Sequence, residues 1–185
     1  MQVMDRKTIM VSSTVYGVED LLESIYDMLD DEYNVVMSHK GTVTNSSANS
    51  CYMDCEEAVR KCDIFLGILT PSYGSGITKI EPCYSITHKE MLLAKELNKK
   101  RFFLVNEKIT FADNFLKEMG LEIDMLTAEQ KRMKTFISSL SVIQMYRDIL
   151  QKNSPPDYHI DSYSRFAEAE VKIQRWFISP DSSRN

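Results

Sequence analysis

Two hydrophobic patterns alternate along the chain. Thr8-Ile9-Met10-Val11-Ser12-Ser13 is a short apolar run closed by hydroxyls, the pattern of a strand covered on both faces. Val18, Leu21, Leu22, Ile25, Met28 and Leu29 then recur at helical spacing, with Glu19, Asp20, Glu23 and Asp27 opposite them and acids near the helix start, where the dipole favours them. Tyr33 to Ser38 reads as a second strand, Gly41 to Ser50 as a Thr/Asn/Ser-rich loop, and Cys51 to Lys61 as a second helix. Asp63 to Thr70 is the strongest strand, with five large apolar residues and no alternation, and Pro71 to Gly76 breaks it into a loop. Thr87 to Asn98 predicts a third helix and Phe102 to Val105 a fourth strand. Strands without alternation, separated by helices, imply a parallel sheet with helices on both faces.

The C-terminal third is less regular. Thr127 to Ser139 reads as a helix, with Thr127 as N-cap and Gln130 three residues on. Val142 to Tyr146 fits a fifth strand or the end of that helix, and we take it as a strand. Asn153 to Asp157 is a break, and Ser162 to Ile178 reads as the final helix. The expected organisation is one α/β domain over residues 1–179, with a core at about 7–106, a helical part at about 107–179 and a frayed tail at 180–185.

Composition narrows the function. The 185 residues hold 22 Lys+Arg against 27 Asp+Glu, a net charge of −5, which is no footprint for nucleic acid. The apolar runs are too short to span a bilayer, and the polar start is no signal peptide, so a cytoplasmic location and no membrane partner are expected. Cys51, Cys55, Ala58, Val59 and Cys62 share one helical stripe, which fits thiols packing as small hydrophobes in a reducing compartment. Their spacing is no zinc pattern, and no metal site is expected. No glycine-rich phosphate motif occurs either: Gly74-Ser75-Gly76 lacks a third glycine and a following helix.

The chemistry-bearing residues gather where strands end. Ser12, Ser13 and Thr14 close the first strand, at the edge where parallel sheets bind ligands; they suit a phosphate or a ribose, or they cap the helix from about Gly17. Tyr73 offers a ring for a base and Gly74 a close backbone approach, or both belong to a plain surface loop. His39 and His88 could move protons, although a lone surface histidine is the commoner fact. Thr87 and Glu90 have the spacing of a capping box, which by itself explains a glutamate there.

The opening Val11-Ser12-Ser13-Thr14, the strand Cys62 to Leu69, the turn Tyr73-Gly74-Ser75 and the helix start Ser85-Ile86-Thr87-His88-Lys89-Glu90 resemble, in this order, an uncharacterised bacterial family whose domains open with a V-F-I-S-S-T-like strand. The likeness runs from about Lys7 to Val105. That family looks like a relative of TIR domains and of nucleoside deoxyribosyltransferases, which implies a flavodoxin-like (TIR-like) sheet of order 2-1-3-4-5 with extra C-terminal helices. Thr87 to Ala94 is also similar to the His-Lys-Glu-x-x-x-Ala helix of TIR domains that hydrolyse NAD. The resemblance implies Glu90 as the catalytic carboxylate, with Ser12, Ser13 and Thr14 holding phosphate or ribose and Tyr73, Gly74, Ser85 and His88 around the base. The sequence departs from those enzymes in the stretch Ile77 to Cys83 before the helix and in having only Tyr84 and Ile86 near the glutamate. The implied activity is cleavage of the N-glycosidic bond of NAD or a related nucleotide, as a glycohydrolase or cyclase in bacterial (antiphage) defence, with no cofactor beyond NAD as substrate and a homo-oligomer or an effector protein as partner. The alternative is a non-catalytic interaction or nucleotide-sensing module, with Tyr158, Tyr163 and Trp176 marking its partner surface.

Overall fold

The computed structural model describes residues 6–37, 40, 51–74, 76, 83–131, 137–151 and 155–178. Strands and helices alternate in the expected order through β1 (Thr8–Ser13), α1 (Glu19–Leu29), β2 (Asn34–Met37), α2 (Cys51–Lys61), β3 (Ile64–Leu69), α3 (Ile86–Glu96) and β4 (Lys100–Asn106). The C-terminal third holds α4 (Glu107–Glu118), a 3-10 turn at Ile123–Met125, α5 (Ala128–Lys131), α6 (Ser141–Ile149), β5 (Tyr158–Tyr163) and α7 (Phe166–Phe177). All five strands pair in parallel in the order β2-β1-β3-β4-β5, the flavodoxin-like order.

The strands lack alternation because both faces of the sheet are covered. Ile9, Val11, Leu66, Ile68 and Leu104 pack on one side with Leu21, Leu22 and Ile25 of α1 and Ile173 and Phe177 of α7. Met10, Phe65, Leu69, Phe103 and Val105 pack on the other with Val59 of α2, Met91 and Ala94 of α3, and Val142, Met145 and Ile149 of α6. A smaller cluster joins Ala112 and Leu116 of α4 to Leu126, Ile137 and Ile143. Among the described residues no helix is long and apolar enough to cross a membrane.

Four expectations change. Val142 to Tyr146 lies in α6, not in a strand: its buried residues Val142, Ile143, Met145 and Ile149 follow helical spacing. The fifth strand is β5, which ends in Ser162 and Tyr163, expected to begin the last helix; that helix starts only at Phe166. Glu107 to Glu118 forms a full helix at the start of the part expected to be helical. Tyr158 and Tyr163 are buried, so they mark no partner surface; Trp176 is half-buried against Phe102. The Thr127–Gln130 capping box is present, with Thr127 N–H donating to Gln130 Oε1 at 2.8 Å and Gln130 N–H to Thr127 Oγ1 at 3.2 Å, but the helix expected to run to Ser139 does not include Ile137 to Ser139. His39, the expected loop at 41–50, Ser75, residues 77–82 and the tail at 180–185 lie outside the described residues.

Candidate functional site

The sheet order reverses between β1 and β3, and the carboxyl ends of these two strands form the crevice where open α/β sheets take ligands. Ser12 and Ser13 stand at that end of β1, in register with Gly67 and Ile68 of β3. Above them lies the first half of α3. Gly67 lets the helix come close: a Cβ there would sit 2.7 Å from Phe103 Cδ1 and 3.2 Å from Met91 Cε. Met91 is the neighbour of Glu90, so the missing side chain on β3 sets how near Glu90 comes to β1.

Glu90 is not a capping residue. Ser85 is the N-cap of α3, its hydroxyl accepting the His88 amide at 3.3 Å, and the helix begins at Ile86. Glu90 therefore sits beyond the capping turn, and its carboxylate points inward. Ser12 Oγ donates to Glu90 Oε2 at 2.5 Å. Glu90 is 4% exposed and Ser12 3%. The other carboxylate oxygen, Oε1, accepts no hydrogen bond. Burial pushes the Glu90 carboxyl up from its ordinary 4.5 to about 7, against the Ser12 hydroxyl and the Cys55 thiol, which pull it down. A buried acid with one oxygen held and one unsatisfied is costly to keep, and groups held in that condition cluster at functional sites.

Thr14 and Gly74 meet at the rim. Thr14 Oγ1 donates to the Ser72 carbonyl at 2.9 Å, tying the end of β1 to the loop after β3. Gly74 has φ +90, and a Cβ there would lie 3.4 Å from Thr14 Oγ1 and 3.7 Å from Thr87 Oγ1. Ser13 is half-buried, with its hydroxyl on the Thr14 carbonyl at 3.1 Å. None of these hydroxyls caps α1, whose N-cap Val18 makes no side-chain bond.

Tyr73, Ser85 and His88 form a second, fully bonded network. The Ser85 amide donates to the Tyr73 hydroxyl at 3.3 Å, and that hydroxyl lies 2.8 Å from His88 Nδ1. His88 Nε2 is 3.0 Å from Asp148 Oδ2. The carboxylate must receive a proton, so we assign Nε2 as the N–H and Nδ1 as the acceptor of the Tyr73 hydroxyl. Burial lowers the His88 pKa while Asp148 raises it. Tyr73 is 7% exposed, packed edge-on to His88 with centroids 5.7 Å apart. Both rings thus brace the start of α3 against α6.

The structure brings Ser12 to Glu90, Thr14 to Gly74, and Tyr73 to Ser85 and His88. Asp148, Thr87 and Cys55 join the site without having been singled out as site residues, Cys55 having been read as packing. Asp148 carries no local signal, since it lies 60 residues from its histidine, just past the Val142 to Tyr146 stretch expected as a strand. Among the described residues no cluster of three His, Cys, Asp or Glu could hold a metal ion.

A doubly wound, all-parallel α/β sheet with a buried carboxylate at its switch point defines the class. The chain belongs to the family described as a domain of unknown function, DUF4062, whose profile matches residues 8–176 and so takes in the C-terminal third as well. No curated protein sequence matches the chain. Among solved structures it is similar to the Clostridium botulinum CMP N-glycosidase BcmB, at 14% identity and a TM-score of 0.49, over 91% of this chain and 99% of that one.

Proposed function

We propose that this protein cleaves the N-glycosidic bond of a nucleotide, with Glu90 as the carboxylate that stabilises or captures the ribosyl cation. The observation that carries the reading is the Glu90 carboxylate at the sheet's switch point, with Oε2 held by Ser12 and Oε1 unpaired. Departure of the base leaves an oxocarbenium-like sugar, and a fixed carboxylate beside C1′ is the group that such a transition state needs. The C1′–N bond breaks with its electron pair going to the base. Water then supplies hydroxyl to C1′ and gives its other proton to the carboxylate or to solvent. Ser12 orients the carboxylate throughout.

NAD is the substrate we favour, from the resemblance of the α3 start to NAD-hydrolysing TIR helices. Oxidised nicotinamide departs as a neutral base, so no general acid is required at the leaving group. Its positive charge beside Glu90 also favours the ionised carboxylate that burial disfavours. Ser13 and Thr14 at the rim supply hydroxyls for phosphate or ribose. Tyr73, Gly74, Ser85 and His88 shape the base end from behind. A role in bacterial antiphage defence goes with the same reading.

The second reading is a nucleotide-sensing or effector-recruiting module, and the 4% exposure of Glu90 favours it. A ligand reaches Oε1 only when covering side chains part, and a carboxylate that never opens is a pin between α3 and β1. The test is release of free base from NAD and from a panel of nucleoside monophosphates by concentrated protein, followed by chromatography. Release by wild type and its loss in Glu90→Gln support the enzyme. Saturable binding of a nucleotide without release supports the sensor.

A further inference from the structure

The exposed face of α4 carries a pattern that is symmetric about its own midpoint. Lys108 and Glu118 stand five residues either side of Asp113, and Phe111 and Phe115 two residues either side. All four are exposed, Phe111 by 62% and Phe115 by 51%, while Ile109, Ala112, Asp113 and Leu116 face inward. The two phenyl rings stack at 6.4 Å with planes 21° apart, making one apolar ridge with a cation at one end and an anion at the other. Met119 extends the ridge, exposed by 60%.

Helix stability does not explain the two end charges. A lysine in the first turn and a glutamate in the last each meet the unfavourable end of the helix dipole. Glu107 and Lys117 have the favourable placement, on the flanks of the ridge. Lys108 and Glu118, on the ridge itself, have the reverse.

We propose that α4 is an interface for a second copy of this chain, pairing antiparallel with its own counterpart about a two-fold axis beside Asp113. In that arrangement Phe111 faces the partner's Phe115 and Lys108 meets the partner's Glu118, twice over by symmetry, as an isologous contact requires. A parallel pairing would set like charges together at both ends. A single helix face lies at the low end of specific interface sizes, so the dimer is weak and its population depends on concentration.

The test is sedimentation velocity on the full chain across a concentration series at low ionic strength. Wild type should dimerise reversibly, and Phe115→Asp should remain monomeric with an unchanged thermal midpoint, because its side chain is exposed. Lys108→Glu alone and Glu118→Lys alone should each weaken the dimer roughly tenfold by creating like-charge pairs. The double reversal Lys108→Glu/Glu118→Lys should restore it, since each end again meets its opposite. A wild type monomeric at every concentration overturns the proposal. So does a dimer that the double reversal fails to restore, or one that Phe115→Asp leaves intact.

Discussion

The Ser12 hydroxyl donates to Glu90 Oε2 at 2.5 Å, joining the carboxyl end of β1 to the second turn of α3 across 78 residues of sequence. Loss of the donor leaves the buried carboxylate with only the Cys55 thiol beside it. Ser12→Ala should cost about 1–3 kcal/mol of stability at pH 8, where the carboxylate is charged, and less at pH 5. It should also raise the carboxyl pKa further, because the bond favours the ionised form. Chemical denaturation at the two pH values checks the first effect. Infrared titration of the carboxyl checks the second.

Glu90 itself costs stability as pH rises. Its folded pKa of about 7 lies above the ordinary 4.5, so the unfolded chain loses this proton first, and stability falls as pH climbs from about 4.5 through 7. Glu90→Gln has no proton to lose. Its stability relative to wild type should grow across that window to a gain on the order of 3 kcal/mol at pH 8. Thermal midpoints that differ by the same amount at pH 4 and pH 8 would contradict the burial account.

The Tyr73–His88–Asp148 network should act the other way in acid. Burial lowers the His88 pKa below the ordinary 6.5, so the unfolded chain takes up this proton first as pH falls. The stability held with neutral His88 is therefore lost below about pH 6.5. Tyr73→Phe removes the hydroxyl between the Ser85 amide and His88 Nδ1 and should cost about 1–3 kcal/mol at neutral pH. Denaturation curves of wild type and variant across pH 5–8 measure both effects.

Gly67→Ala probes the approach of α3 to the sheet. The new methyl group would press on the Phe103 ring at 2.7 Å and on Met91 at 3.2 Å. A loss of about 1–3 kcal/mol is expected, as for other overpacked cores. The shift should also part Glu90 from Ser12, lowering activity by more than the stability loss explains. A crystal structure of the variant measures that separation.

The residues that were legible are those whose environment repeats along the chain. β1 to β4 are covered on both faces, so each left an unbroken apolar run, and α1 to α3 face the sheet at helical spacing. β5 is an edge strand with His159 exposed and Ile160 to Ser162 half-buried, so its polar content hid it. α4 exposes Phe111 and Phe115 beside a buried Asp113, which spoils the amphipathic pattern. Asp113 is buried because Arg147 of α6 and Lys117 pair with it at 2.6 and 2.5 Å. In the site, Glu90 was visible, but its setting was misread: a Thr and a Glu three apart fit a capping box, and only the fold shows that Ser85 caps α3. The Ser12 and Asp148 contacts span 78 and 60 residues and leave no local trace.

In the proposed mechanism the buried Glu90 carboxylate is a reactive group. Its most direct test is the initial rate of base release from NAD by wild type and Glu90→Gln from pH 5 to 9, with NAD binding measured alongside. Wild-type kcat/KM should rise with pH to a plateau, with a midpoint near 7, because the ionised carboxylate is the active form. Glu90→Gln should still bind NAD yet turn over at least about a hundredfold more slowly on that plateau, with the gap narrowing as pH falls below 7. A variant that releases base as fast as wild type, at equal binding, contradicts the account and leaves Glu90 as a pin between α3 and β1.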